Sequence, residues 1–290
     1  MEAIIQPHTV SRLKKLKWQS PQKLKSLHAG ARKSSQIGQS QEFSDYRTYE
    51  AGDDVRQIDW NVYARTEKLY IKRFLEEREL TLTIILDQSK SMSVFENKWR
   101  KAKQIAGAIS VLSLHAGDRV SVQLGTEQSK AMFFKKGSFH VPRFLMELQT
   151  LAPVQDSLLF SEYLQAMVIP QTDVTIVITD GLEQPEEIEK SLKRLQLGHS
   201  QLYYMQVLEA EELAPDYTGD WKLVDIEDHS VVEVSMQNRV LKEYEHRLHE
   251  HLNSIQLICQ RKGIHYTLIS AKSSIEEIIF QQLKQTGWIY

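Results

Sequence analysis

The sequence is poor in the features that define several large classes of protein. Its only cysteine, Cys259, excludes an internal disulfide framework and a zinc site built on several thiolates. Glycine and proline supply only 12 and 7 of the 290 residues, too few for a collagen-like or low-complexity chain. No apolar run approaches the roughly 18–20 residues of a membrane-spanning helix. The phosphate-binding motifs G-x-x-x-x-G-K-[ST] and G-x-G-x-x-G are also absent, so we expect a globular, cytoplasmic protein without either nucleotide-binding loop.

Charge is unevenly distributed along the chain. The net charge is −2 overall, but residues 1–40 hold eight Lys and Arg residues against one Glu. We therefore interpret residues 1–40 as a basic N-terminal arm on an acidic body that comprises residues 41–290. Such an arm suits contact with nucleic acid, an anionic membrane, an acidic partner or the acidic body of the same chain, and the sequence leaves all four open.

From Leu80 onward, short apolar segments alternate with amphipathic ones. Segments 80–86 and 174–179 are apolar and β-branched, as expected for strands buried on both faces of a parallel sheet. The alternation predicts a Rossmann-like α/β fold with a mostly parallel central sheet and helices on both faces. Further strands are predicted at 119–124, 131–134, 202–207 and 265–269, and helices at 99–114, 141–151, 158–168, 186–197, 240–261 and 275–283.

Two segments depart from this alternation. Residues 41–79 are dense in aromatic side chains and in charges of both signs, and residues 69–74 alternate as a strand does. Residues 209–236 are strongly acidic and contain two β-type segments, 221–225 and 231–234, which predict an inserted β-hairpin. We expect both segments to be additions to one α/β domain.

Oxygen-bearing side chains follow the first buried strand. Asp87, Ser89 and Ser91 alternate in the motif D-x-S-x-S, so in an extended loop they point to one side. Asp180 follows the second central strand in a T-D-G motif, and Ser157 in a third loop is a candidate to complete the set. Ligands bind beyond the carboxyl ends of the strands in open α/β sheets, and oxygen ligands suit Mg²⁺, Mn²⁺ or Ca²⁺ better than zinc. The sequence therefore predicts a divalent-cation site formed by these five residues.

The neutral serines indicate how such a cation would be used. Because Ser89 and Ser91 carry no charge, the aspartates neutralise the cation only in part, and it stays attractive to a carboxylate of another molecule. The same residues also fit a simpler interpretation, in which the serines cap the following segment and the aspartates are turn residues. Both interpretations remain open at this point.

The motifs resemble those of a known family. D-x-S-x-S after a buried strand, followed later by T-D-G, resembles the von Willebrand factor A fold and its metal-ion-dependent adhesion site. The block EFSDYRTYEAGDDVRQIDWNVYARTEKLYIKRFLEERELTLTIILDQSKSM, from Glu42 to Met92, is similar to the signature of the bacterial family known as domain of unknown function fifty-eight. The segments LGHSQLYYMQVLEAEEL and Asp225-Ile226-Glu227 fit the same family. The resemblance extends over residues 41–285.

The resemblance implies a von Willebrand factor A-like domain that works with a MoxR-type AAA+ ATPase. Members act as non-enzymatic adaptors in assembling, maturing or activating other proteins. Some relatives carry two N-terminal membrane helices, where this chain has its basic arm. The second loop of the adhesion site usually offers a threonine in a Gly-rich setting, and Gln155-Asp156-Ser157 departs from that pattern.

Three functional hypotheses follow. The leading one is a protein-binding module, not an enzyme, that binds an acidic side chain of its partner through the cation. The second is a metal-dependent phosphohydrolase with a pair of catalytic aspartates, a supporting aspartate and two arginines as a phosphate clamp. These residues are Asp87 and Asp180, Asp53 or Asp54, and Arg56 and Arg65. The third is nucleic-acid binding through residues 1–40, with an affinity that falls steeply with salt.

Overall fold

A computed structural model of the chain describes residues 3–18, 42–75, 79–125, 132–134, 137–153, 159–224, 231–236 and 238–290. The chain divides into two compact units, one formed by residues 22–79 and the other by residues 1–21 together with 80–290. Each unit is described by itself below.

The strands and helices are numbered in chain order. The strands are β1 (Glu42–Thr48), β2 (Tyr70–Leu75), β3 (Thr81–Leu86), β4 (Arg119–Leu124), β5 (Met132–Phe134), β6 (Val174–Thr179), β7 (Gln201–Leu208), β8 (Gly219–Val224), β9 (Val231–Met236) and β10 (His265–Ser270). The helices are α1 (Pro7–Leu13), α2 (Trp60–Thr66), α3 (Glu96–Ala116), α4 (Val141–Thr150), α5 (Phe160–Ala166), α6 (Pro185–Leu195), α7 (Ala210–Leu213), α8 (Asn238–Arg261) and α9 (Ile275–Glu277), the last continuing as a π-helix over Ile278–Leu283.

The smaller unit is an antiparallel pair, β1 and β2, connected through α2. Asp59 caps α2 by accepting hydrogen bonds from the first backbone amides of the helix, and it also accepts from the Tyr46 hydroxyl at 2.9 Å. Asp53 accepts from Arg47 at 2.7 Å, and Asp54 accepts from a backbone amide two residues later. The hydrogen bond from the Glu50 amide and the ion pair with Arg47 lower the pKa of Asp53. These carboxylates therefore stabilise turns and caps of their own segment.

The larger unit is built on a six-stranded sheet in the order β10-β7-β6-β3-β4-β5. Five strands are parallel, and only the edge strand β5 runs antiparallel to its neighbour β4. Every residue of β6 is buried, which explains the continuous apolar, β-branched run in its sequence. The predicted α/β architecture, a mostly parallel central sheet flanked by helices, is confirmed.

Successive residues of each strand point to opposite faces of the sheet, and each face carries its own core. Ile84 belongs to the core that packs α1, α3, α4 and the 275–283 segment against one face. Ile85, the next residue, belongs to the core that α5, α6 and α8 form with the other face. The connection after β3 therefore runs over one face and the connection after β6 over the other. This arrangement makes the crevice between β3 and β6 the topological switch point of the sheet.

The acidic segment contains the second small sheet. β8 and β9 pair antiparallel, with Trp221 opposite Val234, where the sequence predicts a hairpin. Residues 219–222 and 231–233 of this pair are exposed to solvent. Among the residues that the structure describes, none of the helices combines the length and the apolar character needed to cross a membrane.

The start of the chain packs against the larger unit. The sequence predicted residues 1–40 as a basic arm, but residues 3–18 lie on the core with Ile4, Ile5, Leu13 and Trp18 buried, and residues 19–41 lie outside the described residues. The indole Nε1 of Trp18 donates to Ser113 Oγ at 2.8 Å, and its ring lies 5.4 Å from the Tyr203 ring. These contacts join sequence-distant segments, so no local pattern could indicate them.

Trp18→Ala is expected to destabilise the protein by about 3–5 kcal/mol, because it removes a buried aromatic ring and leaves a cavity. Urea unfolding followed by circular dichroism measures the change. Lys15→Ala, an exposed position of the same segment, is the control and is expected to change stability by less than about 0.5 kcal/mol. Equal stability of the two variants would contradict the docking of this segment.

Candidate cation site at the carboxyl ends of β3 and β6

The switch point places two aspartates at the ends of neighbouring strands. β3 and β6 pair in register up to Leu86 opposite Ile178, and Asp87 continues the pairing by donating its backbone amide to the Ile178 carbonyl at 2.9 Å. Asp180 follows the last residue of β6. Both side chains are buried, with Asp87 1% exposed and Asp180 3% exposed. The crevice that an open α/β sheet uses for ligands is thus lined by carboxylates.

Asp87 is fixed by neutral hydrogen-bond donors. Its Oδ2 accepts from the Thr179 hydroxyl at 2.5 Å, and its Oδ1 accepts from the Ser89 backbone amide at 2.9 Å. Burial and the negative charge of Asp180 raise the pKa of Asp87 from its ordinary value of 3.8 to about 7, against the opposing effect of these hydrogen bonds. Asp87 is therefore a buried carboxylate whose charge is costly unless a cation joins it.

The two serine hydroxyls lie together beside Asp87. The hydroxyls of Ser89 and Ser91 form a hydrogen bond with their Oγ atoms 3.0 Å apart, and both serines are half-buried. Oxygen ligands lie about 2.1 Å from a magnesium ion, so two adjacent ligands of an octahedral ion are about 3.0 Å apart. The donor chemistry and the spacing of these hydroxyls fit a hard divalent cation. Because they are more exposed than the aspartates, the serines form the solvent side of the site.

Asp180 already has a cationic partner. Lys98 Nζ, from the first turn of α3, donates to Asp180 Oδ2 at 3.0 Å and to Glu212 Oε1 at 2.7 Å. The Lys98 side chain is 0% exposed. Burial acts to lower the pKa of Lys98, but the neighbouring Asp180 and Glu212 carboxylates outweigh it, and the pKa is raised overall. A charged ammonium is therefore part of the site.

Glu212 brings a third strand end into the cluster. It lies on α7, directly after β7, and its Oε2 accepts from the Glu209 backbone amide at 2.7 Å in a capping box. Burial raises the pKa of Glu212, against the effect of Lys98. The Tyr244 hydroxyl of α8 donates to the Glu212 carbonyl at 2.8 Å. Carboxylates that follow β6 and β7 thus share a single lysine, Lys98.

Polar side chains of β7 and α8 hold the loop after β6. Gln206 Nε2 donates to the Asp180 carbonyl at 2.7 Å, and His251 Nε2 lies 2.7 Å from the Gly181 carbonyl. Gly181 has a φ of +58° and a β-carbon there would lie 2.5 Å from the Tyr204 hydroxyl, so the glycine of the T-D-G motif is required by both conformation and space. These contacts fix the direction of Asp180.

The structure brings four of the five predicted ligands together. Asp87, Ser89, Ser91 and Asp180 share one site, whereas Ser157 lies outside the described residues. Lys98, Glu212 and the role of the Thr179 hydroxyl were not predicted. Within the described ranges, no group of three or more His, Cys, Asp or Glu side chains is arranged to hold a metal ion. A cation here would depend on the serine hydroxyls as well as on the carboxylates.

Comparison with known proteins places the chain in a family. The family described as "Protein of unknown function DUF58" matches residues 45–254. The chain belongs to this family. Uncharacterized proteins of Mycobacterium bovis and Mycobacterium tuberculosis are 26% identical to this DUF58 protein over 240 residues, which cover 79% of this chain and 74% of each relative.

Two solved structures are similar to the DUF58 protein over 71% of its length. One is the conserved hypothetical protein BatB from Bacteroides thetaiotaomicron, with 17% identity, a TM-score of 0.42 and 98% of that chain covered. The other is an aerotolerance-related membrane protein from Bacteroides fragilis carrying multiple mutations to serines, with 16% identity, a TM-score of 0.41 and 99% of that chain covered.

The prediction of a cytoplasmic location is corrected by this comparison. It was inferred from the lack of a long apolar run, yet one of the similar structures belongs to a protein described as a membrane protein. The lack of a long apolar run does not determine a compartment, so the prediction is withdrawn and no compartment is assigned to this chain.

Asp87→Asn is expected to stabilise the protein in the presence of a chelator at pH 8, by on the order of 2 kcal/mol. The raised pKa of Asp87 means that the folded state keeps a proton that the unfolded state releases, so this group lowers stability as the pH rises from about 4 to about 7. Asparagine does not titrate, and this part of the pH dependence disappears.

Urea unfolding with EDTA at pH 5 and pH 8 measures the effect. Asp216→Asn, which removes an exposed carboxylate, is the control and is expected to stay within about 0.5 kcal/mol of the wild type. If Asp87→Asn is less stable than the wild type at pH 8 and keeps the same pH dependence, the buried charge of Asp87 does not lower the stability of the folded state.

Proposed function

We propose that this DUF58 protein is a non-enzymatic protein-binding module that uses a divalent cation to bind an acidic side chain of its partner. Asp87, Ser89 and Ser91 hold the cation, while the Asp180 carboxylate on the neighbouring strand end stays bonded to Lys98. Magnesium is the expected ion, and Mn²⁺ and Ca²⁺ share the same preference for oxygen ligands. The cation, when bound, supplies a Lewis acid that accepts a carboxylate oxygen from outside.

The observation that carries this proposal is the juxtaposition of Asp87 with the serine pair. A buried carboxylate with neutral donors lies beside two hydroxyls 3.0 Å apart, on the side of the site that faces solvent. A cation bound there stabilises the Asp87 charge and remains accessible to a second molecule. An anionic carboxylate is attracted to such an incompletely neutralised ion more strongly than a neutral donor is, so the geometry favours an acidic partner.

The family resemblance suggests which partner to test first. The resemblance implies an association with MoxR-type AAA+ ATPases, and we propose such an ATPase as the partner, with assembly or activation of other proteins as the outcome. The contact would be made by an Asp or Glu side chain on the surface of the ATPase.

The rival hypothesis, a phosphohydrolase, receives less support from the described residues. It assigns Asp53 or Asp54 to catalysis, but Asp53 is paired with Arg47 and Asp54 bonds to its own turn. One of the two proposed catalytic aspartates, Asp180, is held by Lys98. These contacts explain the three carboxylates as structural or binding groups.

Ser91→Ala is expected to weaken magnesium binding by about tenfold or more, because it removes one oxygen ligand. Isothermal titration of the purified protein with magnesium chloride at pH 8 measures the dissociation constant. Ser93→Ala is the matched control, since Ser93 lies on the same loop but donates its hydroxyl to the Lys90 carbonyl at 2.6 Å. Equal magnesium affinities for the two variants would remove the serine pair from the site.

Binding to the MoxR-type ATPase is expected to require both the cation and Asp87. Biolayer interferometry with the immobilised DUF58 protein and the ATPase from the same genome measures this, with magnesium chloride or with EDTA. The wild type is expected to bind only with magnesium, and Asp87→Asn under neither condition. Binding that survives EDTA and Asp87→Asn contradicts the proposed contact. Magnesium-dependent turnover of p-nitrophenyl phosphate that is lost in Asp87→Asn would favour the hydrolase instead.

A further inference from the structure

We infer that Lys98 sets the cation affinity of this site, because its ammonium is an internal counter-ion that neutralises the carboxylates of Asp180 and Glu212, whose charge would otherwise strengthen the binding of the divalent cation. This inference rests on the proposed function, since it names what regulates the same site. It assigns to Lys98 and Glu212 a role in cation binding that the sequence motifs do not indicate.

The Lys98 ammonium lies between two buried carboxylates. It lies 3.0 Å from Asp180 Oδ2 and 2.7 Å from Glu212 Oε1, so it bridges the ends of β6 and β7. The side chain of Lys98 is 0% exposed, while those of Asp180 and Glu212 are 4% and 13% exposed. Water and salt therefore screen these interactions far less than at the protein surface.

The effect of Lys98 on cation affinity follows from the charges buried around it. Asp87, Asp180 and Glu212 are carboxylates, and Lys98 is the cation that bonds to two of them. Removing the ammonium leaves both of its partners without that compensation in a region of low dielectric. The negative electrostatic potential at the cluster then increases. A divalent ion held by Asp87 and the serines therefore binds more tightly.

The arrangement has a functional consequence for the wild-type protein. With Asp180 held by Lys98, the cation depends mainly on Asp87, Ser89 and Ser91, two of which are neutral. Fewer protein charges neutralise the ion, so it binds weakly but keeps a strong attraction for a carboxylate from outside. Lys98 thereby shifts the balance from tight metal binding toward capture of an acidic partner.

Four proteins at pH 8, titrated with magnesium chloride by isothermal calorimetry, test the inference. Lys98→Met removes the ammonium at similar volume and is expected to lower the magnesium dissociation constant by at least about tenfold. Lys98→Met/Glu212→Gln removes one charge of each sign, and its dissociation constant is expected within about threefold of the wild type. Lys101→Met is the matched control, because Lys101 lies one turn further along α3 and is buried, but donates to the Ser273 carbonyl at 2.6 Å.

A structural role alone cannot produce this pattern, because the double variant restores charge balance without restoring the lysine. If Lys98→Met folds only when magnesium is added, as followed by circular dichroism, the cation replaces the ammonium and the inference is supported. If it does not fold at all, Glu212→Gln keeps Lys98 and removes a negative charge. Weaker magnesium binding by Glu212→Gln supports the inference, and unchanged binding overturns it.

The outcomes separate this inference from the proposed function. Equal affinities of Lys98→Met and the wild type, with binding lost in Asp87→Asn, overturn the inference and leave the proposed function standing. Magnesium binding by Lys98→Met but not by the wild type overturns the proposed function and supports the inference. Lack of binding by both proteins overturns both.

Discussion

Buried like charges at the ends of adjacent parallel strands are the constraint on which the functional part of this structure depends. Parallel strands bring their carboxyl ends to one edge of the sheet, and β3, β6 and β7 place Asp87, Asp180 and Glu212 there or directly beyond it. Carboxylates in a region of low dielectric repel one another. They therefore either bind a cation or remain partly protonated. The cluster does both in part: Lys98 bonds to two of the carboxylates, and the pKa of Asp87 rises to about 7.

This division of charge connects the fold to the proposed function. Lys98 comes from the first turn of α3, so the helix that follows β3 returns a cation to the strand ends of β6 and β7. Ser89 and Ser91 are more exposed than Asp87, so an ion added beside them would meet solvent. The larger unit therefore carries one internal cation at this edge, and the exchangeable cation that we propose would lie beside it.

Local patterns predicted much of the fold but only part of the site. The D-x-S-x-S motif identified Asp87, Ser89 and Ser91, and the apolar runs located β3 and β6. The extended loop predicted for the motif is wrong, because Ser91 lies in a 3₁₀ turn over Lys90–Ser93. Lys98 was missed although it falls on the buried stripe of α3, at helical spacing from Ala102 and Ile105; a lysine in such a stripe indicates a carboxylate partner elsewhere in the chain. The docking of Trp18 on Ser113 and Tyr203 depends on contacts between distant segments, which periodicity does not encode.

Anomalous diffraction from crystals grown with manganese chloride at pH 8 tests the central claim most directly, because it locates the ion without reference to function. The account predicts an anomalous peak about 2.1 Å from oxygens of Asp87, Ser89 and Ser91, with the Lys98 ammonium still bonded to Asp180 and Glu212. A peak in the position of the Lys98 ammonium, or well-ordered crystals without a peak beside Asp87, would contradict it.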